Sequence, residues 1–218
     1  MFESIKDWFR TPTLASFDNA LSRERLVQSS RIVFVDDETP LLIKELKAAG
    51  FSVDHDRTGN SLRNFDNQIY DVAIVDYHGV GTKLGTSQGL DLLRYIKRVS
   101  PRTRLIAYTS RSLTSTESEF FRLSHVVLPK DFGLADSFAL IEGELRKAFE
   151  KVHLFDALLA KFNVQDPTER ARLQNALVKA LAARNEKRFR EYFSKAVGAV
   201  AEKSIDIMIS KLFLGTAK

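Results

Sequence analysis

The sequence contains no cysteine and no long apolar run. Without cysteine the chain has neither a disulfide framework nor a thiolate metal site, which agrees with a reducing compartment. Because no stretch of about 18 apolar residues occurs, we expect no membrane-spanning helix. The start, MFESIKDWFR, mixes acidic and basic residues and lacks a continuous apolar core, so no secretory signal is predicted. We therefore expect a cytoplasmic protein.

Negative charge is scarce in the last third of the chain. Residues 151–218 contain 13 Lys or Arg against 7 Asp or Glu, whereas the whole chain has a formal net charge of +5. The first 150 residues are consequently slightly acidic. This uneven distribution predicts at least two parts with different roles.

Short, β-branched apolar runs alternate with helical patterns in the first 150 residues. The runs are too short for helices and are typical of buried strands. The predicted strands are 31–35, 51–55, 72–75, 105–108 and 126–128. Two of the helices between these strands are predicted to end at Gly50 and at the pair Ser100-Pro101. This alternation predicts a doubly wound α/β fold with a five-stranded parallel sheet.

No strand pattern occurs after Ser137. Apolar residues recur at alternating three- and four-residue spacing from Phe138 to Phe162, which predicts one unbroken helix that leads out of the α/β part. Asp166 and Pro167 then begin a new helix, as an N-cap and a first-turn proline. The predicted parts are an N-terminal extension over 1–30, an α/β domain over 31–150 and an all-helical domain over 151–218.

Charged and hydroxyl side chains stand where the predicted strands end. Asp36 and Asp37 follow the first strand, and Asp76 follows the third. Thr109 follows the fourth strand, and Lys130 comes shortly after the fifth. The carboxyl ends of parallel strands share one edge, where three carboxylates would bind Mg²⁺ and Lys130 and Thr109 would hold a phosphoryl group. Asp76, alone at its strand end, is the predicted nucleophile. For Asp36 and Asp37 taken by themselves, a solvated surface turn is an alternative explanation.

This set of residues resembles the receiver domain of bacterial two-component response regulators. The resemblance covers residues 31–150 and includes GLDLLRYIK, which is similar to the family's third helix. It implies a flavodoxin-like fold, catalytic roles for Asp76, Thr109 and Lys130, and phosphorylation of Asp76 by a histidine kinase or phosphotransfer protein. It also implies Mg²⁺ as cofactor, bound by Asp37, Asp76 and the backbone carbonyl of His78, with Asp36 acting mainly through water. A protein of this kind is a phospho-acceptor in signalling, not an enzyme.

Several features depart from the family's pattern. The loop after Asp76 is longer than usual, and Lys130 follows Pro129 instead of preceding a proline. Val127 occupies a position where the family often has a mobile aromatic side chain. His78 and Arg111 occupy positions that tune the lifetime of the phosphorylated state in the family. The departures leave open a degenerate receiver that acts as a phosphorylation-independent adaptor.

For the helical part we favour protein–protein interaction, as a homodimer or with a protein target, through residues 137–218. Val152 and Phe155 lie where the apolar stripe widens, and we predict that a charge at Phe155 abolishes association. The alternative is a DNA-binding transcriptional regulator that uses the basic stretch 184–193. Nucleic acid is less favoured, because the aromatic residues of that stretch recur at the helical spacing typical of a core.

The N-terminal extension has a short apolar face. The residues that form it are Phe2, Ile5, Trp8 and Phe9. Since the segment has no net basic charge, we expect this face to dock on the chain's own domain rather than on a membrane.

Overall fold

Five parallel strands form one sheet in the computed structural model, which describes residues 12–18, 21–110, 118–198 and 203–215. The strand order is β2-β1-β3-β4-β5. The strands are β1 (Arg31–Val35), β2 (Ser52–Asp56), β3 (Val72–Asp76), β4 (Arg104–Thr109) and β5 (Val126–Pro129). This is the flavodoxin-like order of a doubly wound sheet. The predicted fold class and all five predicted strands are confirmed.

Helices cover both faces of the sheet. They are α1 (Arg23–Ser29), α2 (Leu41–Ala48), α3 (Leu62–Asp66), α4 (Gly89–Val99), α5 (Ser118–Leu123) and α6 (Leu134–Ala148). Successive side chains of a strand point to opposite faces, so Phe34 packs with α1, α2 and α6 while Val33 and Val35 pack with α3, α4 and α5. The sheet is therefore buried on both sides, which explains its continuous apolar runs.

The helical part forms around a core of its own. Its helices are α7 (Lys151–Lys161), α8 (Pro167–Ala182), α9 (Glu186–Val197) and α10 (Lys203–Phe213). Phe155, Leu177 and Phe193 are buried in that core. The start of α8 agrees with the sequence pattern, since the Asp166 carboxylate accepts the backbone N–H of Glu169 at 2.7 Å. Among the described helices, none combines the length and apolar character that a bilayer crossing requires.

The predicted unbroken helix between the two parts is wrong. Helix α6 ends at Ala148 and α7 begins at Lys151, with Phe149 and Glu150 outside both helices. Two contacts explain the break. Phe149 is buried in the core beside the sheet, and the Asp18 carboxylate accepts the N–H of Lys151 at 2.7 Å. The apolar repeat thus serves two separate cores.

The structure also corrects the predicted interface at the start of α7. The side chain of Phe155 is 0% exposed and lies inside the helical core, whereas Val152 is 43% exposed. A charge at Phe155 would enter this core and destabilise the helical part itself. Of these two positions only Val152 is accessible to a partner.

An N-terminal strap, residues 12–18 and 21–30, connects the two cores. Leu14 is buried among the helices of the C-terminal part, and Leu26 is buried against the sheet. The backbone carbonyl of Leu21 accepts a hydrogen bond from Arg146 at 2.8 Å. The strap was not predicted, and the apolar face predicted at Phe2, Ile5, Trp8 and Phe9 lies outside the described residues, as does Arg111.

A buried ionic cluster joins the amino edge of the sheet to α10. We call Asp71, Arg102 and Lys211 the amino-edge cluster. The Lys211 ammonium lies 2.6 and 2.8 Å from the two carboxylate oxygens of Asp71, and Arg102 lies 2.5 Å from one of them. Burial acts to raise the pKa of Asp71, but the charges of Arg102 and Lys211 outweigh it and hold that pKa below its usual value. Burial lowers the pKa of Lys211 to about 8 despite the attraction of Asp71.

Candidate functional site

The sheet register brings the predicted site residues to one edge. Asp76 is the last residue of β3 and pairs with Tyr108, so Thr109 lies one residue beyond it on the neighbouring strand. Asp36 directly follows β1, and Lys130 directly follows β5. The backbone N–H of Lys130 donates to the carbonyl of Thr109 at 2.8 Å, which fixes the start of the Lys130 loop. The carboxyl edge therefore carries these residues on neighbouring strand ends.

Lys130 connects two of the carboxylates. Its Nζ lies 2.8 Å from Oδ2 of Asp76 and 3.0 Å from Oδ2 of Asp36. The same ammonium lies 5.1 Å from the centre of the Tyr108 ring, which adds a cation–π contact. Tyr108 was not among the predicted site residues. Its place directly before Thr109, at a strand end, was the available signal.

The adjacent carboxylates of Asp36 and Asp37 occupy different environments. Asp36 is buried, and its Oδ1 accepts the backbone N–H of Glu38 at 2.9 Å. Asp37 is exposed, and its backbone carbonyl accepts a hydrogen bond from Arg57 at 2.7 Å. Only Asp37 of the pair thus presents its carboxylate to solvent, where a hydrated ion can approach.

The donor set at this edge fits a hard divalent cation. Asp36, Asp37 and Asp76 each have a carboxylate oxygen within 4.8 Å of the others. Three carboxylates beside the single ammonium of Lys130 leave this group of residues with excess negative charge. Oxygen ligands and excess negative charge are what Mg²⁺ requires of a protein site.

Burial and the neighbouring charges both shift the pKa values at this edge. Burial raises the pKa of Asp76, and the neighbouring charge of Asp36 raises it further, against the opposing effect of Lys130. Burial also works against the charged form of Lys130, but hydrogen bonds to Asp76 and Asp36 prevail and raise its pKa. The two shifts are compatible because one ammonium is shared between two carboxylates: Lys130 is doubly paired, and each carboxylate is only partly neutralised.

The long loop after Asp76 folds back onto the acidic residues. The N–H of Gly79 donates to the side chain of Gln88 at 2.9 Å, and Val80 is buried in the core. Gly79 has a φ of 72°, and a Cβ atom there would lie 2.3 Å from Oδ2 of Asp37. Glycine is therefore required for the close approach of this loop to the Asp37 carboxylate. His78 lies exposed in the same loop, two residues after Asp76.

Several solved structures are similar to this chain. No family model matches the chain, and no curated protein matches it. A CheY-like response regulator receiver domain protein from Methanospirillum hungatei JF-1 is 21% identical with a TM-score of 0.47, over 55% of this chain and 95% of that chain. Response regulator protein TrrA from Thermotoga maritima was solved in complex with Mg(2+)-BeF. It is 24% identical with a TM-score of 0.45, over 53% of this chain and 98% of that chain.

A third similar structure extends further along this chain. NtrX from Brucella abortus is 18% identical with a TM-score of 0.49, over 70% of this chain and 35% of that chain. The helical part receives no identification from any of these similarities. The fold assignment rests on the sheet order itself, which confirms the predicted flavodoxin-like fold.

Proposed function

We propose that this chain is a response regulator that accepts a phosphoryl group on Asp76 from a histidine kinase or phosphotransfer protein. The observation that carries the proposal is the Lys130 ammonium, which lies between Asp76 and Asp36 at the carboxyl edge of the sheet. A carboxylate oxygen of Asp76 attacks the donor's phosphorus, and the bond between phosphorus and the donor breaks as the acyl phosphate forms. Lys130 and the Thr109 hydroxyl hold oxygens of the transferred group.

The proposed Mg²⁺ ligands are Asp37, Asp76 and the backbone carbonyl of His78, with Asp36 acting through water. The exposure of Asp37 and the ion pair of buried Asp36 with Lys130 support this division of roles. When bound, the ion supplies positive charge that neutralises phosphoryl oxygens. The protein's own residues hold the Lys130 ammonium 2.8 Å from the proposed nucleophile, Asp76.

The surface beside the site supports docking of a phosphodonor protein. Leu41 begins α2 directly after the acidic loop, and Phe132 and Leu134 follow Lys130. All three side chains are large, apolar and exposed. Exposed apolar side chains on segments that follow site residues support a protein-binding surface there. We propose that the donor contacts these residues when it delivers the phosphoryl group.

The proposed output is protein–protein interaction through the helical part. The alternative is DNA binding through the basic stretch 184–193, whose Phe189 and Phe193 are buried in the helical core. Those rings are consequently unavailable to stack on bases. The chain's own chemistry would be limited to phosphorylation and dephosphorylation of Asp76.

Phosphoryl labelling tests the proposal. The protein is incubated with Mg²⁺ and acetyl phosphate, and its intact mass is recorded. We expect the mass of one phosphoryl group on the wild type and none on Asp76→Asn. Asp156→Asn, a change at a half-exposed carboxylate of α7, should label like the wild type. Equal labelling of Asp76→Asn would refute the assignment of the acceptor. A wild type that never labels would leave the phosphorylation-independent adaptor as the function.

A further inference from the structure

Helices α8 and α9 enclose a cleft that has no part in the proposed phosphoryl chemistry. Its volume is about 330 Å³. We call it the basic cleft; its cationic rim is Arg172, Lys179 and Arg188, and its apolar part is Ala176, Phe189 and Tyr192. The rim residues lie on two facing helices, with Arg172 and Lys179 two turns apart on α8. Positive charge therefore surrounds the opening on both sides.

In the part of the chain that the structure describes, the cations of this rim have no anionic partner. Within the ranges that the structure describes, Arg172, Lys179 and Arg188 form no ion pair. The two carboxylates of α9 lie near other cations, since Glu186 pairs with Arg190 at 2.5 Å and Glu191 lies 3.9 Å from Lys187. An exposed cluster of unpaired cations attracts an anionic partner.

The cleft also offers an apolar contact. Phe189 is buried and belongs to the helical core, so its ring forms a fixed floor. Tyr192 is 44% exposed, although the other aromatic residues of α9 are buried. An exposed tyrosine ring gives a large contact area at small entropic cost and is enriched at protein interfaces. The chemistry of the cleft therefore fits a ligand that carries both anionic groups and an apolar group.

We propose that the basic cleft binds an acidic segment of a partner protein, with an apolar side chain in the cleft and carboxylates on the cationic rim. Glu191 favours a protein over nucleic acid: its side chain is 66% exposed beside Tyr192, where it would repel a continuous phosphate backbone. A peptide can place its carboxylates away from that position. This inference rests on the proposed output role of the helical part, but not on the chemistry at Asp76.

Fluorescence anisotropy with a labelled synthetic peptide tests the proposal. The peptide has one phenylalanine flanked on both sides by aspartate and glutamate, and a second peptide has asparagine and glutamine in place of the acids. We expect saturable binding of the acidic peptide only, weaker at high salt because the contacts are ionic. The double variant Arg172→Glu with Arg188→Glu should lose affinity by about tenfold or more.

Matched variants separate the cleft from net charge. Lys44→Glu with Lys97→Glu changes the chain's charge equally on exposed residues of α2 and α4, and should bind like the wild type. Tyr192→Ala should weaken the phenylalanine peptide but not a version with alanine in its place, which identifies the apolar contact. Circular dichroism verifies that each variant is folded. As a second test, Lys179→Gln should lose less affinity for the acidic peptide than the double variant does.

Several outcomes would overturn the proposal. Equal affinity for the acidic and amide peptides, or an undiminished affinity in the rim variant, would show that the cleft is not the site. Cleft-dependent binding of oligo(dT) that excludes the peptide would assign nucleic acid instead. Cleft-dependent self-association in light scattering would assign a second copy of the chain. Phosphoryl labelling of the rim variant should match the wild type, so a failure here is distinguishable from a failure at Asp76.

Discussion

At the amino edge of the sheet, two cations, Arg102 and Lys211, surround the single carboxylate of Asp71. At the carboxyl edge the ratio is reversed, because Asp36 and Asp76 share the single ammonium of Lys130. Both edges bury carboxylates, yet the pKa of Asp71 is lowered and that of Asp76 is raised. The difference comes from the number of cations each edge supplies and not from burial, which acts in the same direction at both.

This contrast distinguishes a structural cluster from a reactive one. The amino-edge cluster is closed, since its carboxylate is fully buried and its cations come from the turn before β4 and from α10. The carboxyl edge stays partly open and short of positive charge. A metal ion, or any other group that brings positive charge, would stabilise the carboxylates of such a site. Sites of this kind are candidates for function.

The largest effect should come from removing the buried carboxylate of the amino edge. Asp71→Asn leaves Arg102 and Lys211 buried without a counter-charge, and we expect a loss of about 3–5 kcal/mol in the free energy of unfolding. Asp76→Asn, the matched change at the other edge, removes a carboxylate that Asp36 repels and should cost less than about 1 kcal/mol. Urea unfolding followed by circular dichroism measures both. Equal losses would erase the distinction between the edges.

Magnesium should stabilise the protein through the carboxyl edge alone. At ten times its dissociation constant, Mg²⁺ should add about 1.4 kcal/mol to the free energy of unfolding, because it binds the folded state. Asp37→Ala should lose most of this gain, and Asp36→Ala should lose less, since Asp36 is already paired with Lys130. Asp156→Asn serves as the control with an unchanged gain. Thermal unfolding with and without Mg²⁺ gives the values, and a gain that survives in Asp37→Ala contradicts the ligand assignment.

The pH dependence of stability should have opposite signs at the two edges. Asp71 has a folded-state pKa below its ordinary 3.8, so its contribution to stability is present above that pH and is lost as the pH falls through the folded-state value. Asp76 has a raised pKa, so it costs stability as the pH rises above 3.8.

Relative to the wild type, Asp71→Asn should therefore become less stable as the pH rises, and Asp76→Asn more stable. Unfolding is measured in chelator from about pH 3 to pH 6, where these carboxylates titrate. Parallel curves for the two variants would contradict the pKa contrast.

The smallest effect concerns the room that Gly79 leaves for Asp37. Gly79→Ala and Gly198→Ala both place alanine at positive φ, 72° and 65°, and each should cost about 1 kcal/mol. Only at Gly79 would the new Cβ meet the Asp37 carboxylate, whereas nothing lies within 4 Å at Gly198. Mg²⁺ affinity should therefore fall in Gly79→Ala and stay unchanged in Gly198→Ala. Equal affinities would show that the loop does not position Asp37.

The sheet and the placement of its polar ends were predictable because their signals are local. Each strand is a short apolar run, and the residue that ends it, such as Asp76 or Thr109, follows directly in the sequence. Parallel topology then brings those ends together without further information. The roles predicted for Thr109, His78 and the other site residues stay predictions that labelling and metal titration can test.

The features that sequence reasoning missed depend on distant contacts. The break between α6 and α7 depends on Asp18, which is 133 positions away from Lys151. The amino-edge cluster joins Asp71 to Lys211 across 140 positions. A periodic pattern carries no information about such partners, so the apolar repeat looked like one helix although it faces two cores.

The N-terminal strap has a consequence for the order in which the chain folds during synthesis. Leu14 and Asp18 are synthesised well before α7 and α8, the helices they contact. At typical rates of translation, the strap waits on the order of ten seconds for its partners. The sheet can assemble in that interval, with the strap's apolar residues exposed until α7 and α8 emerge.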